Sequence, residues 1–216
     1  MKNIFFIILF SIVFRTVSHG QNIYQHIDSL IMDYIKELQL RNIDTICIYK
    51  DYYLGYDKFV NYQEDSITYI CFQPISSYIL WIEQKKTFLK KIDNCFDYSI
   101  IRLDSISLWK IFFSYKNLIK KEKVKPFEYL VYKNKKKEIG VISIDHSRYL
   151  DFKFIIDKDT ISMEFDEFDL QKHNGSKYNN INYLYNQRLK SKKIIDELER
   201  LVLHIEEEKL FIKSKR

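Results

Sequence analysis

Apolar residues fill positions 4 to 14 (IFFIILFSIVF) on all sides, interrupted only by Ser11. Beyond them the pattern becomes periodic. Ile23, Ile27, Leu30, Ile31, Tyr34, Ile35 and Leu38 recur at steps of three and four, which predicts an amphipathic helix over 22–40. His26, Asp33, Lys36 and Glu37 fall off its apolar face. The period then shortens to two. Segments 44–50, 56–62, 66–72, 78–84 and 86–92 read as strands, with Gly55, 61–65 and 73–77 as turns. Gln84-Lys85-Lys86 predicts a hairpin turn that offers Ile79, Trp81, Phe88 and Ile92 to one core.

The second half repeats the order. Asp104 or Ser105 can cap a helix over about 105–121, striped by Leu108, Trp109, Phe112, Tyr115 and Ile119, with Pro126 beyond its end. Strands follow at 127–133, 138–145, 149–157 and 160–168, joined so briefly that each should pair with the next as an antiparallel hairpin. A polar loop, 171–180, leads to a long C-terminal helix over about 181–212. Leu184, Ile194, Leu198, Leu201, Val202 and Ile205 form its buried side, and Lys190, Lys192, Lys193, Glu197, Arg200, Glu206 and Glu207 fill much of the rest. Thirty helical residues would extend ~45 Å, longer than a domain of this size is wide. The helix must therefore bend or break near Ser191, or project with Leu210, Phe211 and Ile212 exposed.

Runs of strands between three helices mean α+β with an antiparallel meander sheet or sheets of about eight or nine strands, ordered helix–strands–helix–strands–helix. The expected core includes Trp81, Trp109, Phe112, Tyr69 and Phe165. No Pro- or Ser-rich linker interrupts 21–216, which reads as a single domain, with a two-lobed arrangement around a seam near 96–104 as the alternative.

The first segment is read as a secretory signal. Lys2 precedes an apolar run of about eleven residues, too short to span a bilayer stably. Arg15 stops the run, and Ser18-His19-Gly20 places cleavage between Gly20 and Gln21. A retained membrane anchor is the rival. No cysteine lies near the cleavage site, so no lipid anchor is expected.

Composition narrows the function classes. Hydrophobic content of 46% with four Gly and two Pro argues for a packed core. Lys2 and Arg15 leave with the signal, so 35 basic residues become 33 against 29 acidic, a mild +4. An exported chain with that charge is not expected to bind nucleic acid. Composition and signal look bacterial. Cys47, Cys71 and Cys95 are odd in number, so at least one is unpaired in a monomer, and they form no zinc pattern.

Candidate chemistry is sparse. Asp145 and His146, within Asp145-His146-Ser147-Arg148, could supply a carboxylate-oriented base, or simply a hairpin turn. Glu164, Asp166, Glu167 and Asp169 could offer oxygen ligands to a hard cation, or form a solvated strand face. Lys120, Lys121, Lys123 and Lys125 suit a helix C-terminus, and Lys133, Lys135, Lys136 and Lys137 a hairpin tip. Both patches could also meet an anionic surface. His173-Asn174-Gly175-Ser176 contains a sequon in a loop. No metal site, cofactor or phosphate-cradling loop is expected.

The leading expectation is a non-enzymatic exported, periplasmic or extracellular protein that acts by binding through an exposed sheet face or the aromatic-rich strands, its partner another protein or an anionic surface. The alternative is an envelope hydrolase using Asp145 and His146 or the acidic strand 164–169.

Overall fold

The computed structural model describes residues 26–53, 59–64, 67–72, 75–93, 95–104, 107–175 and 177–215. The export segment, its cleavage site at Gly20, the turn residue Gly55 and the side chain of Tyr69 lie outside what is described. In chain order the elements are α1 (26–40), β1 (Thr45–Tyr53), β2 (Phe59–Glu64), β3 (Ile67–Phe72), β4 (Ile75–Glu83), β5 (Lys86–Ile92), β6 (Phe96–Tyr98), β7 (Ile101–Leu103) and α2 (Ser107–Ile119). They continue with β8 (Glu128–Lys133), β9 (Lys136–Val141), β10 (Arg148–Ile156), β11 (Asp159–Asp166) and a 3-10 turn (Glu167–Leu170). Last come β12 (His173–Asn174), β13 (Tyr178–Asn179), α3 (Tyr183–Arg188), α4 (Lys190–Glu207) and β14 (Lys213–Lys215).

The fold is α+β. Six strands form one antiparallel sheet in the order β11-β10-β1-β4-β5-β7, and the rest pair in small two-stranded sheets. Strands from both sides of the 96–104 segment therefore share one sheet. β1 runs antiparallel to β10, with Cys47 opposite Phe154 and Tyr49 opposite Phe152.

Helices cover both faces of this sheet. Ile27, Ile31, Ile35 and Leu38 of α1 pack on Ile46, Ile48, Ile79 and Trp81. On the other face α2 and α4 pack on Tyr49, Leu80, Phe152, Phe154 and Phe165. Double coverage explains why β1 buries four consecutive residues, Ile46 to Tyr49, where an antiparallel strand with one wet face would alternate. Phe112 of α2 stacks on Phe154 with ring centroids 3.8 Å apart, and the Trp109 indole N–H donates to Thr87 Oγ1 at 3.0 Å. Trp81, Trp109, Phe112 and Phe165 are buried as expected.

Several sequence expectations give way. The strand count exceeds eight or nine: β6 and β7 occupy the presumed seam, β12 and β13 the presumed polar loop, and β14 follows the presumed last helix. The helix order changes too, because the C-terminal helix breaks into α3 and α4 at Leu189, whose backbone is extended (φ −59°, ψ 141°). The cause lies far away in sequence. The Glu122 carboxylate accepts from the Lys190 and Ser191 N–H groups, both at 2.8 Å, and so caps a new helix start. At 18 residues α4 is ~27 Å long, well short of the ~45 Å of one unbroken helix.

α4 ends with Lys209 at φ 52° and the Leu210 N–H donating to Ile205 O at 3.1 Å, a left-handed helix stop. Phe211 then packs beside Tyr78 and Tyr98, and β14 pairs with β6. Leu210 and Ile212 are exposed. Leu184, expected in the buried stripe, is exposed, whereas Ile194, Leu198, Val202 and Ile205 are buried. β9 and β10 do not pair: β8 and β9 form a separate two-stranded sheet.

Candidate functional site

Asp145 and His146 lie in the bend between β9 and β10, both exposed. The flanking residues are structural. The buried Ser147 hydroxyl donates to Asp166 Oδ1, which also accepts from the Phe168 N–H at 2.9 Å and so caps the 3-10 turn. Arg148 is a pin between three elements. It donates to both Asp51 oxygens at 2.8 and 2.7 Å, and its Nη1 lies 2.6 Å from Glu199 of α4. The bidentate Asp51 bond holds its guanidinium protonated above even the usual arginine range.

The acidic stretch is dispersed in the same way. Glu164 accepts from the Tyr52 hydroxyl at 3.0 Å, Glu167 faces Arg148, and Asp169 accepts from the Phe127 N–H at 2.7 Å. Glu164 is exposed, as a solvated strand face requires, whereas Asp166, Glu167 and Asp169 are half-buried and bonded or paired within the fold. Among the described residues, clefts of about 220, 270 and 390 Å³ lie on the surface, and Asp145 and His146 line none of these.

The first lysine patch is also divided. Lys120 Nζ pairs with Asp159 at 2.9 Å, and Lys125 Nζ lies over the Tyr185 ring at 4.4 Å. Lys121 and Lys123 are exposed on the segment that leads from α2 to β8. The second patch is concentrated at one place, the tip of the β8–β9 hairpin. Lys133 pairs with Lys136 in register, and the turn between them, Asn134-Lys135, has both φ angles positive at 51° and 62°. That is the two-residue hairpin geometry that matches strand twist.

The register of this hairpin sorts its side chains. Residues directly opposite share a face. One face carries Leu130 with Ile139, Tyr132 with Lys137, and Glu128 with Val141. Its four apolar groups are all exposed: Leu130 38%, Tyr132 74%, Ile139 62% and Val141 61%. The other face is clamped to the molecule. Gly140 lies opposite Tyr129, whose ring covers the glycine and packs on Tyr178 of β13 with centroids 4.1 Å apart. A Cβ at 140 would sit 2.5 Å from that ring, so glycine is what allows the close approach.

Three asparagines hold the base of the hairpin. Asn182 Nδ2 donates to Pro126 O and Glu128 Oε2 at 3.0 and 2.9 Å. Asn186 is fully buried; it donates to Lys125 O and Asp169 O and accepts from the Lys125 N–H, at 2.8 to 3.0 Å. Asn180 donates to Asp169 O and Gln171 O at 2.9 and 3.1 Å. Reading the sequence alone missed all three positioning residues. Their signal was the recurrence of Asn180, Asn182 and Asn186 along an otherwise apolar and aromatic segment.

A second feature was also missed. On the α1 face of the sheet, Asp151 lies opposite Lys50 and Glu164. Burial pushes its carboxyl up to about 6, against the pull of Lys50, which itself pairs with Asp28 at 2.7 Å. Among the described residues no cluster of three or more His, Cys, Asp or Glu could hold a metal ion, and no helix is long and apolar enough to cross a membrane. Cys95 is disulfide-bonded, while Cys47 is a free thiol whose burial pushes its pKa up.

Compared with models of protein families, with curated proteins and with solved structures, the chain has no significant match.

Proposed function

We propose that the chain is an exported protein of the cell envelope or extracellular space that acts by binding, and that its contact surface is the β8–β9 hairpin. The observation that carries this reading is the single exposed face bearing Leu130, Tyr132, Ile139 and Val141. Apolar side chains gathered on one exposed face mark contact sites, whereas singly scattered ones do not. The elements that hold this face outward, the asparagine base and the Tyr129–Tyr178 clamp, involve the opposite face and the base.

Export is supported by the order of Lys2, the apolar run and Ser18-His19-Gly20, and by the disulfide at Cys95, since cytosolic thiols stay reduced. The hydrolase reading draws less support. Asp166, Glu164 and Asp169 accept internal hydrogen bonds, and Asp145 and His146 lie on an exposed bend.

The test is sedimentation of the purified exported protein with isolated envelopes. A Tyr132→Ser/Ile139→Ser variant is expected to stay in the supernatant, while Asp145→Asn and His146→Ala sediment like the parent. Equal sedimentation of the hairpin variant would reject the surface. Ester, glycan or peptide hydrolysis lost in Asp145→Asn would favour the enzyme.

A further inference from the structure

Resting on the hairpin reading, we infer that the occupant of the β8–β9 face is the headgroup region of an anionic phospholipid surface. The argument is charge and side-chain chemistry around the apolar face. Four lysines, Lys133, Lys135, Lys136 and Lys137, crowd the tip, with Lys137 on the same face as Tyr132. Protein–protein contacts are depleted in lysine and enriched in arginine. The tip holds lysine and no arginine. Long-stemmed ammonium groups beside an apolar face are suited to a lipid interface, where the stems lie along the hydrocarbon boundary and the charges reach the phosphates.

Tyr132 fits the same place. It is the most exposed aromatic of the hairpin, and a phenol carries an apolar ring and a polar tip of the kind that anchors at headgroup level. Ile139, Leu130 and Val141 continue the face towards the base. Six residues per strand give a face ~20 Å long. Lying flat at headgroup level, it would keep the outer edges of this two-stranded sheet in the hydrated interface and out of the hydrocarbon. The outer strand β9 begins Lys136-Lys137-Glu138, charges that disfavour edge-to-edge pairing with a second copy.

The experiment is co-sedimentation of the full exported protein with two vesicle types, phosphatidylcholine alone and phosphatidylcholine mixed with phosphatidylglycerol. Binding is expected to the anionic vesicles and not to the neutral ones, and to fall as salt rises from about 0.1 M to about 1 M. Tyr132→Ser/Ile139→Ser is expected to abolish it. Lys135→Gln/Lys136→Gln/Lys137→Gln is expected to weaken it on the order of 100-fold, each lysine contributing roughly fivefold. Because the lysine variant changes only exposed tip residues, it keeps the test decisive should the apolar variant misfold. No binding to anionic vesicles overturns the lipid assignment. If envelopes are then still bound in a Tyr132- and Ile139-dependent manner, and trypsin-stripped envelopes are not, the hairpin surface stands with a protein as its partner. Anionic vesicles bound equally by parent and both variants overturn the hairpin surface itself.

Discussion

β8–β9 and β10–β11 are successive antiparallel hairpins built on the same alternation, and they end in opposite situations. In β10–β11 the alternate residues Phe152, Phe154, Ile161 and Phe165 are buried, because β10 pairs with β1 and α2 and α4 cover the face. In β8–β9 the corresponding set, Leu130, Tyr132, Ile139 and Val141, remains exposed. Period-two patterning sets which residues share a face. Whether that face is covered depends on a partner elsewhere in the chain. β10 finds one about a hundred residues back, while β8–β9 is attached at its base and through one tyrosine on its other face.

The sharpest way to break this comparison is truncation on both hairpins. Phe154→Ala should cost about 3–5 kcal/mol in urea unfolding, a loss of buried aromatic packing. Tyr132→Ala should stay within about 0.5 kcal/mol. Similar costs at the two sites would mean that the hairpin face is packed after all.

Asn186→Ala should come next, at about 2–3 kcal/mol, because it leaves the Lys125 N–H without its acceptor and the Lys125 carbonyl without its side-chain donor, and removes one of the two amides that donate to Asp169 O. Amide exchange should quicken in 128–141 more than in the six-stranded sheet. An unchanged exchange pattern would show that the asparagines do not hold the hairpin.

Asp151→Asn probes the large sheet. Burial raises this carboxyl from 3.8 to about 6, so between those values the folded state binds more protons than the unfolded one. The stability it contributes is fully present below about 3.8 and is lost as pH rises through about 6. The asparagine variant should therefore be more stable than the parent at pH 7.5, by about 1–3 kcal/mol, and should lack the parent's decline between pH 4 and 7. Parallel stability curves for parent and variant would contradict the burial argument.

The smallest effect is at the tip. Lys135→Gly relieves a positive φ in the turn and should stabilise the hairpin by about 0.5–1 kcal/mol, with less exchange in 130–139. Destabilisation there would mean that the turn adopts another geometry.

What could be read from the sequence follows from the range of each signal. Local period placed α1, most strands, the lysine-tipped hairpin and the buried Trp81, Trp109, Phe112 and Phe165 close to where they stand. Contacts between distant segments left no local trace. Glu122 breaks the C-terminal helix from 68 positions away, Arg148 ties β10 to Asp51 and Glu199, and Asn186 joins α3 to Lys125 in the segment that leads into β8. Leu184 was assigned to a stripe that exists only if 181–212 is one helix, and the break at Leu189 rotates it to solvent. The exposed face was visible as alternation but not as exposure, since nothing in YLVYK or KKEIGV distinguishes it from a covered strand.

The central claim, that the β8–β9 face is the contact surface and anionic lipid its occupant, is tested most directly by hydrogen–deuterium exchange. The exported protein would be measured alone and with phosphatidylglycerol-containing vesicles. The account predicts that new protection is confined to 128–141, is lost in the Tyr132→Ser/Ile139→Ser variant, and leaves α1 and the six-stranded sheet unchanged. Protection centred elsewhere, or none in the hairpin while the protein is vesicle-bound, would contradict it.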